Sequence, residues 1–188
     1  VAMNKIIAIV GMCGSGKSVA CDILEEKGYK KVYFGGVTMD KLKEENLSVT
    51  PENEKMMREK LRSSLGMGAY AIILLPKIKE LAETHNVVLD GLYSWEELKI
   101  IKEVFLDDLT TIAIIVDKNT RYERLSRRDV RPFTKEKAKE RDISEIENIA
   151  KAGPIAYADY YVDNNKSIDE FRIRMDEILE DLDKGEAK

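Results

Sequence analysis

The residues most able to do chemistry come early, in Gly11-Met12-Cys13-Gly14-Ser15-Gly16-Lys17-Ser18. Glycines let a backbone curl until successive N–H groups point inward at phosphate oxygens. A helix starting at about Gly16 adds its positive end. Lys17 can then reach the β- and γ-phosphates of a nucleotide, and the Ser18 hydroxyl can ligate Mg2+. The candidate cradle is therefore Gly11, Cys13, Gly14, Ser15, Gly16, Lys17, Ser18 and Val19.

Asp90 is the second candidate. It ends the apolar run Asn86–Asp90 and precedes Gly91. A carboxylate in that place can hold a Mg2+-bound water or orient a phosphoryl acceptor. The third candidate is a cationic stretch. Between Arg121 and Arg141 nine Lys or Arg face four acids, a local excess of five positive charges in a chain whose net charge is −4. Arg124 and Arg128 stand four apart and share a helical face. Arg131-Pro132-Phe133-Thr134 then breaks the helix into a loop. A mobile cationic loop beside a phosphate site supplies what phosphoryl transfer needs: arginines that neutralise developing charge, and a cover that excludes water.

These groups need a frame, and the hydrophobic pattern describes one. Short apolar strands are expected at Lys5–Val10, Lys31–Phe34, Asn86–Asp90, Thr110–Val116 and Tyr160–Asp163. Between them the pattern predicts helices at Gly16–Lys27, from Thr50 to Leu65, at Ala69–Thr84 with a kink or split at Pro76, and from Ser94 to Phe105. Further helices are expected at Thr120–Arg128, at Asp142–Ala152 with a stop at Gly153-Pro154, and after Ser167. Thr50, Ser94 and Ser167 read as caps. Apolar strands alternating with helices give an α/β fold, a parallel sheet covered on both faces. Ligands of such sheets sit beyond the carboxyl ends of the strands, where the glycine-rich turn and Asp90 lie.

The chain has 188 residues, 35% of them charged, and fits one domain over 1–188. Its acidic net charge argues against nucleic acid as a partner. Cys13 and Cys21 form no disulfide framework or zinc spacing and suit a reducing cytosol, so a cytoplasmic location is expected. The apolar run Ile6–Val10 is too short for a signal peptide or a membrane span. Val1 and Ala2 precede Met3, the expected start. The sequence leaves monomer or dimer open.

The glycine-rich loop, Asp90-Gly91, Arg124…Arg128 and the Asn164-Asn165 turn after the last strand resemble the P-loop nucleoside monophosphate kinases, whose relatives include adenylate kinase and dephospho-coenzyme A kinase. The resemblance implies a three-layer P-loop NTPase fold with a five-stranded parallel sheet, a helical acceptor-binding insert at about 36–66 and a short Arg-rich lid at about 124–141. It implies ATP and Mg2+, the metal held by Ser18 and Asp90, and a small nucleotide as acceptor. Arg124 would stack near the adenine beside Asn164 and Asn165, with Arg128, Arg131 and Arg141 on the phosphates. Two departures matter. Gly35-Gly36-Val37-Thr38-Met39 stands where such kinases often carry an acid and an arginine, and Leu92-Tyr93-Ser94 where they often carry an arginine. Acceptor binding then falls to Arg58 or Arg62, beside Gly91. Two alternatives stay open: a dephospho-coenzyme A kinase, with Asp40 as the nearest candidate base, and an ATP-binding regulator acting on a protein or RNA partner.

Overall fold

In the computed structural model, which describes residues 4–185, Ile6–Val10 forms β1, buried at every position. Alternate side chains of a strand point to opposite faces. Here Ile6, Ala8 and Val10 enter one core while Ile7 and Ile9 enter the other. The remaining strands are β2 (Lys30–Tyr33), β3 (Val87–Asp90), β4 (Leu109–Ile115) and β5 (Tyr160–Asp163). They form one five-stranded sheet in the order β2-β3-β1-β4-β5, every neighbouring pair parallel.

Helices cover both faces. α1 (Lys17–Glu26) and α9 (Ile168–Asp183) pack on Ile7 and Ile9 through Leu24, Phe171 and Met175. The opposite face carries α2 (Gly36–Glu44), α3 (Pro51–Leu65), α4 (Ala69–Ala82) and α5 (Trp95–Phe105), through Leu42, Leu61, Ile78 and Ile101. α6 (Lys118–Arg127), α7 (Lys135–Ile149) and the short α8 (Ala152–Ala156) fill the stretch between β4 and β5. The expected caps are in place: Thr50, Ser94 and Ser167 accept from the N–H groups of Asn53, Glu97 and Glu170 at 3.1, 3.1 and 3.2 Å. Among the described residues no helix is long and apolar enough to cross a membrane. The expected start at Met3 lies outside the described residues.

Three elements differ from expectation. α4 is not split at Pro76. The proline removes only the bond to the Ile72 carbonyl, and Ile72 lies on the exposed side. α7 begins seven residues before the expected Asp142, capped by Thr134, whose hydroxyl accepts from Lys137 N–H at 3.2 Å. The basic run that reads as a loop is thus mostly helix, and only 128–134 connects α6 to α7. α7 also stops before Gly153-Pro154, with Ala150 in the left-handed region at φ 52°. Gly153-Pro154 lies inside α8, within a first turn whose N–H groups need no helical partner. Gly153 is there for packing: a Cβ would come within 2.9 Å of Trp95.

Candidate active site

β1 and β3 are adjacent, with Ile9 opposite Asp90, so the glycine-rich loop and Asp90 emerge side by side at the carboxyl edge. The loop conformation requires its glycines. Gly14 and Gly16 have φ of 82° and 99°, and a Cβ on Gly11 would approach Ser15 Oγ to 2.5 Å. Lys17 Nζ lies across the loop and donates to the carbonyls of Gly11 and Met12 at 2.9 and 3.0 Å. Gly16 gives α1 no side-chain cap. The first-turn N–H groups therefore remain available to an anion.

The loop is braced from two sides. Asn164, at the end of β5, donates from Nδ2 to the Ser15 carbonyl at 2.9 Å. Arg121 donates to the Cys13 carbonyl at 3.1 Å and, through both terminal nitrogens, to Asp142 of α7 at 2.9 and 2.8 Å. Tyr122 Oη donates to the same carboxylate at 3.0 Å. Both members of this ion pair are buried. Breaking such a pair strands a charge in a dry interior, so it fixes α6, α7 and the loop as one unit.

Beyond the loop opens a pocket of about 640 Å³. One wall is the loop with Lys17 and Ser18, continued by Arg124 and Arg128; the other is Lys31, Tyr33, Asp90 and Tyr93. Arg124 is held by donating to the Asn164 carbonyl at 2.7 Å. Arg128 donates to the Arg131 carbonyl at 2.7 Å and lies 4.4 Å over the Phe133 ring. Burial and then the neighbouring Lys151 charge draw Lys17 down to about 7, against smaller opposing effects from Cys13, Glu145 and Asp90. Burial lifts the Asp90 carboxyl above its usual range, with Lys31 and Lys17 pulling it back.

Not all the expected residues meet there. Arg131 is exposed, has φ 51°, and pairs with buried Glu54 of α3 at 3.7 Å, so it faces the insert. Arg141 pairs with Glu145, which also holds Lys151. Val19 packs on the α1–α9 core. Asn165 accepts from Asp117 N–H at 2.9 Å and so anchors the start of α6. Gly91, at φ 89°, turns the chain out of β3 toward Tyr93. Arg58 and Arg62 are absent from the pocket walls: Arg62 lies 5.5 Å over Tyr70, whose hydroxyl shares a 2.5 Å hydrogen bond with Thr38. Arg62 Nε and Glu97 Oε2 are both buried without a hydrogen-bond partner among the described residues. Burial pushes Glu97 up to about 7.

Sequence reasoning passed over Asp142, Glu145, Lys151, Lys31, Tyr33 and Tyr93. Asp142 and Lys151 fall at the start and in the last turn of the expected helix Asp142–Ala152, which hid them. The one available signal was Tyr93, standing where related kinases often carry an arginine.

The residues present fit a nucleotide with Mg2+. The glycine cradle would fill on adding a Cβ, Lys17 stands over it, and Ser18 and Asp90 place hard oxygen donors on the same pocket. No group of three or more His, Cys, Asp or Glu able to hold a metal occurs among the described residues. Mg2+ here would share its coordination with phosphate oxygens.

Comparison with known proteins agrees with this geometry. A family model described as an AAA domain matches residues 7–149, the glycine-rich loop included, so the chain belongs to that domain family. A UPF0200 protein of Sulfurisphaera tokodaii is 34% identical over 182 residues, covering 95% of this chain and 97% of its own. A UPF0200/UPF0201 protein of Archaeoglobus fulgidus is 36% identical over 186 residues; the chain spans 57% of that relative's length. The chain belongs to the UPF0200 family. Among solved structures, TT1252 from Thermus thermophilus superposes with a TM-score of 0.65 at 17% identity, over 96% of this chain and 99% of its own. Shikimate kinase from Bacteroides thetaiotaomicron gives 0.58 at 15%, over 95% and 99%. At these identities the likeness is one of fold.

Proposed function

We propose that the protein is an ATP- and Mg2+-dependent phosphotransferase that passes the γ-phosphoryl group to a nucleoside monophosphate or similar small nucleotide. The observation that carries this reading is Lys17 and Asp90 on one pocket, delivered by adjacent strands at the carboxyl edge of the sheet. Ser18 and Asp90 would hold Mg2+, which would supply positive charge against the phosphates. Lys17 binds and orients those oxygens, and the loop N–H groups complete the cradle. Asp90 orients the acceptor or a metal-bound water. Arg124 and Arg128, on the loop-side wall, offset the charge that spreads over the phosphoryl oxygens during transfer.

The dephospho-coenzyme A alternative loses its support at Asp40. That carboxylate is exposed on α2 and is not among the pocket-lining residues. An acceptor screen with ATP and Mg2+, read by ADP formation and product mass, tests the proposal. Tight ATP binding with no acceptor phosphorylated would overturn it and favour an ATP-binding regulator.

A further inference from the structure

Lys151 is 3% exposed, on the bend between α7 and α8. Its ammonium pairs with Glu145 and lies 4.7 Å from the centre of the Tyr93 ring. Lys17 Nζ stands 5.9 Å from the centre of the same ring; Tyr93 lines the pocket, and Lys151, which does not, meets it through that ring. Glu145 is already paired with Arg141. Arg141 is half exposed, so solvent meets part of its charge, whereas Lys151 is buried and stands across the Tyr93 ring from a third cation, Lys17. A surplus of buried like charge is unfavourable unless an anion meets it. Burial first, and then the Lys151 charge, weaken the hold of Lys17 on its proton.

Resting on the phosphotransferase reading, we infer that Lys151 is a further catalytic residue, whose ammonium reaches past the Tyr93 ring to the oxygens of the transferring phosphoryl group while Glu145 and Arg141 hold it in place. In the step itself the bond from the γ-phosphorus to the bridging β-oxygen breaks, and its electron pair leaves with ADP. The acceptor oxygen forms the new bond to phosphorus. Lys151 keeps its proton throughout and acts only through its charge, which suits a transition state whose negative charge spreads over the three phosphoryl oxygens. Such a contact strengthens as that state forms, so it stabilises transfer more than nucleotide binding.

Calorimetry with Mg2+ and two probes tests this without an acceptor: ADP alone, and ADP with aluminium fluoride as a mimic of the phosphoryl group in flight. Lys151→Gln is expected to weaken the fluoride complex at least about 10-fold, the scale of a lost charged contact, with ADP affinity unchanged. Lys151→Arg is expected to restore most of the loss. Lys17→Ala should weaken both probes. If Lys151→Gln leaves Glu145 unbalanced and the fold suffers, the double variant Lys151→Gln/Glu145→Gln removes both charges. It should fold and still lack tight fluoride binding. Wild-type affinity for the fluoride complex in either glutamine variant overturns the inference and leaves the phosphotransferase reading intact. If the unaltered protein binds neither probe, the phosphotransferase reading falls and takes the inference with it.

Discussion

The two walls of the pocket are built differently. On the loop wall, position is set by the main chain: glycines at positive φ, Lys17 fastened to two carbonyls, and Arg121 and Asn164 gripping two more. On the opposite wall, Lys31 and Tyr33 of β2 and Tyr93 from beyond β3 line the pocket with side chains, and the expected Arg58 and Arg62 do not line it. One wall is a contiguous sequence motif of a kind that cradles phosphate. The other is an arrangement particular to this fold.

Substitutions can break this contrast, beginning with the largest expected effect. Lys17→Ala should lower phosphoryl transfer about 10³-fold with an unchanged circular dichroism spectrum. Near-normal turnover would remove the loop wall from the chemistry. Asp90→Asn should lower kcat about 100-fold, since it deletes a positioned charge. A lower Tm with unchanged activity per folded molecule would assign Asp90 to structure instead.

Asp142→Ala should act on folding. It leaves Arg121 buried without its anion, at a cost of about 3–5 kcal/mol, which is a fall in Tm of roughly 10 °C for a chain of this size. An unchanged melting curve would show that the brace does not hold the loop.

The smallest effect belongs to the insert side, at Glu97. Its carboxyl keeps its proton up to about 7 in the fold but only to about 4.5 when unfolded. Its contribution to stability is therefore complete below about 4.5 and is lost as pH rises through 7. Glu97→Gln does not titrate, so its Tm relative to the unaltered protein should rise by a few degrees between pH 5 and pH 8. A difference that stays constant with pH would place that proton elsewhere.

The loop wall was legible in the sequence because glycine spacing states backbone geometry directly. The strands were legible for a similar reason: Ile6–Val10 is apolar throughout and Ile112–Ile114 continues the pattern in β4, as strands covered on both faces must. Local capping fixed the starts of α3, α5 and α9. What escaped depends on contacts distant in sequence. Charge alone made Arg121, Arg131 and Arg141 look alike, yet one braces the loop, one meets the insert and one shares a carboxylate with Lys151. Gly153-Pro154 reads as a stop because the sequence does not show Trp95 pressed against Gly153. Arg62 has a cationic head suited to phosphate, but Tyr70 receives it.

The two grips on loop carbonyls have a consequence for the peptide planes themselves. A trans peptide is rigid, and its C=O and N–H point in opposite directions. By drawing the Cys13 carbonyl toward Arg121, the fold turns the Gly14 N–H the other way; Asn164 does the same to the Gly16 N–H by holding the Ser15 carbonyl. A flip of either plane would forfeit a hydrogen bond and, at Cys13, loosen a buried charge. The donors that would greet an anion are thus aimed by side chains more than a hundred residues further along the chain.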